Sequence, residues 1–124
     1  MTVFVKESSE SILSGLSKMK AAMIEDYESW SHVAADAPHD EIRARMNKEY
    51  AAGFEVKYGS KYIKLLTKEG GSVSAFIVGT DKDKKFKKGD ILKPAGWAAP
   101  ARNKSRGNIL DGGYPINWTG PLYL

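Results

Sequence analysis

The 124-residue chain contains no cysteine. Disulfides, thiolate metal sites and cysteine nucleophiles are therefore excluded, and the composition suits a reducing compartment. Histidine is almost as scarce, with only His32 and His39, which straddle Pro38. A rigid ligand pair would need a spacing such as i, i+4 within one continuous helix. No metal site and no cofactor are expected. No apolar run approaches the roughly 18 to 20 residues that a membrane span requires. The N-terminal MTVFVKESSE lacks a basic region followed by an apolar core, so the expectation is a soluble, unexported, cytoplasmic protein without membrane contact. Also missing are a Gly-x-Ser-x-Gly elbow, a phosphate-binding loop ending in Lys-Ser/Thr, and paired carboxylates in a recognisable loop. Triads are spatial and escape such inspection, but the reading favoured here is that the chain is not an enzyme.

What is present is ordinary globular material, 42% hydrophobic and 27% charged, far from the composition of disordered chains. The length fits a single domain, residues 1–124. The net charge of +4 conceals a division. Residues 1–53 carry 6 Lys/Arg against 9 Asp/Glu, whereas residues 54–124 carry 13 against 6. Opposite signs in the two parts imply either an anionic partner for the basic part or mutual attraction across an internal interface.

In the acidic part, a short strand at Val3–Val5 precedes a helix that Ser8 or Ser9 is placed to cap, with Glu10 in its first turn. Ile12, Leu16, Met19, Met23, Tyr27, Trp30 and Val33 recur at steps of four and three, the stripe of one long helix. An aromatic and Met stripe at this spacing reads as core rather than as a ligand groove. The same stripe is wide enough to pair with a second copy, so a homodimer is compatible with it. Gly15 inside the helix costs about 1 kcal/mol relative to Ala and points to close packing or a frayed first turn. Pro38 breaks the helix. A second helix follows, capped by Asp36 and stopped by Gly53, whose Arg43, Arg45 and Lys48 alternate with acidic groups as on a solvated face.

From Phe54 the period changes to two. Residues 54–58, 62–68 and 73–78 read as an antiparallel meander with turns at Gly59-Ser60 and Glu69-Gly70-Gly71-Ser72. Two more strands are expected at Asp90–Lys93 and Tyr114–Leu122. The expected class is α+β, with a helical hairpin (1–53) packed on a small, strongly curved antiparallel sheet or open barrel of SH3-like or OB-like character (54–124).

The most informative stretch is DKDKKFKKGDILKPAGWAAPARNKSRG, residues 81–107. Its lysine block, Lys82 to Lys88, reads most simply as a soluble loop that discourages edge pairing, or else as a set of phosphate contacts. Beyond the next strand, Trp97 stands among small residues that let a planar base approach, and Arg102, Asn103, Lys104 and Arg106 follow. The candidate nucleic-acid-binding residues are therefore Lys85, Lys87, Lys88, Trp97, Arg102, Lys104 and Arg106, with Lys57, Lys61, Lys64, Tyr58 and Tyr62 placed to continue the surface. The competing reading has Trp97 plugging the end of the barrel while Arg102 and Arg106 pair with Asp90 and Asp111.

The segments KKFKKGDILKPAGWAAPARNKSRGNIL, KYIKLLT and WTGPLYL resemble a family of small uncharacterised proteins encoded by tailed bacteriophages, over about residues 54–124. The resemblance implies no assigned activity and no site residues. It implies a viral protein acting in the bacterial host cytoplasm, as an accessory factor that binds DNA or RNA or as one that binds and inhibits or redirects a host protein. Nucleic acid is the expected partner, and a host protein is the alternative.

Overall fold

A computed structural model describes residues 3–34 and 40–121, with side chains for 3–30 and 41–121. The expected Asp36 cap, the Pro38 break, Val33 as a stripe side chain and both histidines as side chains lie outside that set. The described elements are β1 (Val3–Val5), α1 (Ile12–Ala34), α2 (Asp40–Ala52), β2 (Glu55–Tyr58), β3 (Tyr62–Thr67), β4 (Ser72–Val78), β5 (Ile91–Leu92), β6 (Tyr114–Asn117) and β7 (Gly120–Pro121). No described helix is long and apolar enough to cross a membrane.

The helix α1 forms where the stripe predicts. Its cap, however, is Ser11, whose hydroxyl accepts from the Ser14 amide at 3.1 Å, rather than Ser8 or Ser9. Leu16, Met19 and Met23 are fully buried, and Ala22 joins them because it adjoins the stripe at helical spacing. Gly15 has a packing role. A Cβ there would lie 2.8 Å from both the side chain and the carbonyl oxygen of Ile109, so the missing methyl admits the 108–112 segment against the helix.

The strands form two antiparallel sheets of order β1-β6-β7 and β2-β3-β4-β5, neither closed into a barrel. The molecule is thus of mixed helix and sheet type. The meander β2-β3-β4 appears with the expected turns, and β5 is shorter than expected. The long last strand is divided in two. At 117–120 the chain reverses, with the Asn117 carboxamide accepting from the Thr119 amide at 2.9 Å, and β7 folds back on β6 with Asn117 opposite Gly120.

The main core lies between α1 and both sheets, and includes Val5, Met19, Leu65, Ile77, Ile109 and Ile116. The second helix packs on α1 and reaches the core through Tyr50, leaving most of its charged side chains in solvent as expected. The four-stranded sheet is apolar on its other face as well. There Phe76, Val78, Leu92 and Phe86 form a smaller cluster joined by Tyr62 and Val73. Because successive side chains alternate faces, Lys57, Tyr62, Lys64 and Phe76 emerge on this second side, and the loops on either side of β5 fold over part of it.

The β3–β4 turn holds Lys68 and Glu69 at φ 55° each, followed by Gly70 at 84°. For a non-glycine residue the left-handed region costs roughly 1–2 kcal/mol. The turn is held by the Glu69 amide donating to the Gly53 carbonyl just past α2, at 3.0 Å.

Candidate nucleic-acid interface

Two loops meet over the second face of the sheet, and one carboxylate joins them. Asp83 accepts the backbone amides of Lys85 at 2.8 Å and Phe86 at 3.0 Å. Its two oxygens also take both guanidinium nitrogens of Arg102 at 3.0 Å, and Lys61 stands 3.4 Å away. Arg102 further donates to the Tyr62 hydroxyl and lies over the Phe86 ring at 5.0 Å. The Lys85 ammonium donates to the Arg102 carbonyl. The Asp83 side chain is 1% exposed. The Arg102 guanidinium and the two amides hold its carboxyl well below the usual carboxylate range, and the same pair pushes the Arg102 guanidinium up. A bidentate arginine–carboxylate pair of this geometry fixes position as well as charge.

Arg102 is therefore first a strut between loops. Its partner is Asp83 rather than Asp90, which instead accepts from the Asn108 amide group at 3.0 Å and from the Lys87 backbone amide at 3.0 Å. Lys87 forms an ion pair with Asp111 at 2.7 Å, which raises its ammonium pKa. The Arg106 guanidinium donates to the Lys104 carbonyl at 3.1 Å and reaches the Asn103 carboxamide at 3.4 Å. Lys88 and Lys104 are exposed. Trp97 does not plug a barrel end: it is 52% exposed at the tip of a small excursion closed by the Ala101 amide on the Lys93 carbonyl at 2.7 Å.

The residue that meets Trp97 is Lys64, whose ammonium lies 4.6 Å from the centre of the indole and 5.7 Å from that of Phe76. Directly across the β2–β3 ladder from Lys64 is Lys57. Like charges facing each other across strands are destabilising. An open groove of about 300 Å³ runs past this pair, lined by Lys57, Tyr58, Ser60, Lys61, Lys64 and Ala98 among others. Beyond Ser60 and Lys61 it continues into a recess of about 500 Å³ that Thr80, Lys82, Lys84, Asp83 and Arg102 complete. Among the described residues no carboxylate pairs with Lys57, Lys64, Lys82 or Lys84.

The seven residues singled out in the sequence thus divide. Arg102 lines the recess, Trp97 meets the groove's Lys64 and Lys85 holds the Arg102 carbonyl. Lys87 is turned toward Asp111, and Lys88, Lys104 and Arg106 are not among the residues that line either hollow. Lys57, Tyr62 and Lys64 on the strands, secondary in the sequence, form the floor. Ser60 and Thr80 were not legible as site residues, because only the fold brings their loops together. Among the described residues no cluster of His, Asp and Glu is arranged to hold a metal ion.

A profile for a family of unknown function, DUF7717, matches residues 3–123. The chain belongs to that family. The DUF7717 match takes in α1 and α2 as well as the basic part, so it extends beyond the 54–124 stretch that carried the resemblance. No curated protein and no solved structure matches the chain.

Proposed function

We propose that this member of the DUF7717 family binds nucleic acid along the β2–β3 face, as an accessory factor of a tailed phage acting on DNA or RNA in the host cytoplasm. The observation that carries the proposal is the Lys57–Lys64 pair under an exposed Trp97. Two lysines are direct cross-strand partners with no carboxylate paired to either among the described residues, a state that an incoming phosphate relieves. The indole, 52% exposed, offers a ring face to an unpaired base beside it. This combination of ring faces and ammonium groups is what OB-type surfaces use, although both sheets here are open. The recess at Lys82 and Lys84 continues the positive track by which a phosphate backbone would leave the groove. Engaging the four unpaired lysines predicts a slope of log affinity on log salt of about −3 for a single strand, or about fiftyfold between 50 and 200 mM.

The test is a fluorescence-anisotropy titration of labelled single-stranded and duplex DNA and RNA at those two salt concentrations, on wild type and on Lys64→Ala with Trp97→Ala. Salt-dependent binding lost in the variant supports the reading. Absence of binding at low salt removes it.

A second reading has its own observation. Arg102 and Lys87 are committed to intrachain pairs, which reduces the charge available to phosphates. The exposed Trp97, flanked by alanines and glycine, then serves as an anchor on a host protein that the factor inhibits or redirects. Recovery of one stoichiometric protein from nuclease-treated bacterial lysate, dependent on Trp97, would favour this reading.

A further inference from the structure

The largest concentration of aromatic rings lies at the other part of the molecule, where α1 and α2 meet the β3–β4 and β6–β7 turns. Tyr27 and Tyr50 stack face to face, with centroids 4.1 Å apart and planes at 6°. Trp118 meets Tyr27 edge-on at 5.3 Å, and Trp30 lies 5.5 Å from Tyr27 and 5.0 Å from Trp118. The sequence pattern assigned Trp30 to the core, yet it is 38% exposed. These four rings line an open cavity of about 480 Å³, within the size range of small-molecule sites.

The polar groups at this cavity are mostly acidic. Glu49 from α2 and Glu69 from the β3–β4 turn stand on its rim, opposed among the described lining residues by one cation, Lys68. Behind the rings, Asp26 is 1% exposed and accepts the Trp118 backbone amide at 2.8 Å. The carboxylates act on the rings electrically. Burial is the main cause that raises the Tyr50 phenol, with the Asp26 charge next, and burial followed by the Glu49 charge raises Tyr27. The turn that brings Glu69 and Lys68 to the mouth is the one with two consecutive non-glycine residues in the left-handed region. Strain of this kind persists where the surroundings over-determine it.

We propose that this cavity is a binding site for a small organic cation, an ammonium or guanidinium group on an apolar body, held on the faces of Trp30, Trp118 and Tyr27 with Glu49 and Glu69 as counter-charges. Indole and phenol faces attract cations through their quadrupoles. Among the described lining residues two carboxylates stand against one ammonium, which disfavours an anion, and a neutral apolar ligand would leave the acidic rim unused. The site shares no residue with the β2–β3 groove, so it stands or falls separately from the nucleic-acid reading.

The test uses tryptophan fluorescence in a Trp97→Phe background, so that the signal comes from Trp30 and Trp118. The probes are choline, its uncharged isostere 3,3-dimethylbutan-1-ol, and N-acetyl-arginine amide. Saturable quenching by a cationic probe, about tenfold or more tighter than by the isostere, is expected from the strength of cation–ring contacts. Trp30→Ala should abolish it, and Glu49→Gln, a conservative change at an exposed helix position, should weaken it several-fold while far-UV circular dichroism is unchanged. Tighter binding of the arginine amide than of choline would mark a peptide-borne cation as the source, and the reverse a free one. Equal binding of choline and its isostere, no saturable response to either cation, or indifference to Glu49→Gln in a folded variant would overturn the proposal.

Discussion

Replacing Lys57 by Glu should make the protein more stable and less able to bind nucleic acid. In the wild type, Lys57 and Lys64 are direct cross-strand partners. A like-charged pair in this position is unfavourable and an opposite pair favourable, each by roughly 0.2–1 kcal/mol. The substitution turns one into the other, so a gain of about 0.5–1.5 kcal/mol is expected, discounted toward the lower end because Lys57 is exposed and screened. For binding, a lost phosphate contact on a single strand costs about 0.7 log units per decade of salt, or about fivefold at 0.1 M relative to 1 M salt. Added repulsion from the new carboxylate increases the loss. Urea denaturation measures the first effect and anisotropy titration the second. A variant that gains stability but binds as wild type would refute the groove. Lost stability would refute the assigned strand register.

Further outcomes follow from the same packing. Gly15→Ala gains about 1 kcal/mol of helix propensity but sets a methyl 2.8 Å from the Ile109 carbonyl, and overpacking costs typically 1–3 kcal/mol; a net loss in urea midpoint is expected, and a stabilised variant would show that the 108–112 segment is not pressed on the helix. Asp83 is held below its ordinary value near 3.8. Its contribution to stability is therefore present above that pH and lost as pH falls through the lower folded value. Urea midpoints should decline below about pH 4 in the wild type, and Asp83→Asn, already lacking the charge, should flatten the part of that decline due to this group. Arg102→Ala should lower both stability and binding, whereas Trp97→Ala, at an exposed tip, should lower binding with stability changed by less than about 0.5 kcal/mol. Thermal unfolding beside anisotropy separates the two.

Those expectations differ in how much of their basis the sequence already carried. The stripe Leu16, Met19, Met23 is a local period, and period alone sets which helix face is buried. The meander was legible for the same reason, since alternation and two turn signals define β2, β3 and β4. Where an outcome depended on residues far apart in the chain, the pattern was silent. The pairing of β1 with β6 joins Val3 to Ile116, and no local signal encodes it. Arg102 was read as a phosphate ligand because its neighbours are basic, while its actual partner, Asp83, lies within the lysine block itself. The last strand was drawn too long, although Asn117-Trp118-Thr119-Gly120 is a turn by composition. Trp30 belongs to the stripe by spacing but lies at the end of α1, beyond the sheets that cover Met19 and Met23, so the same period yields core at one end and a cavity wall at the other.

The central claim is that a single strand lies along Lys57, Lys64 and Trp97. Ultraviolet cross-linking of a halogenated single-stranded oligonucleotide, followed by mass spectrometry of the attached peptides, locates contact directly. Adducts on the 55–64 and 94–101 segments, suppressed by Lys57→Glu, are predicted. No adduct at low salt, or adducts confined to Lys88, Lys104 and Arg106, would contradict the account.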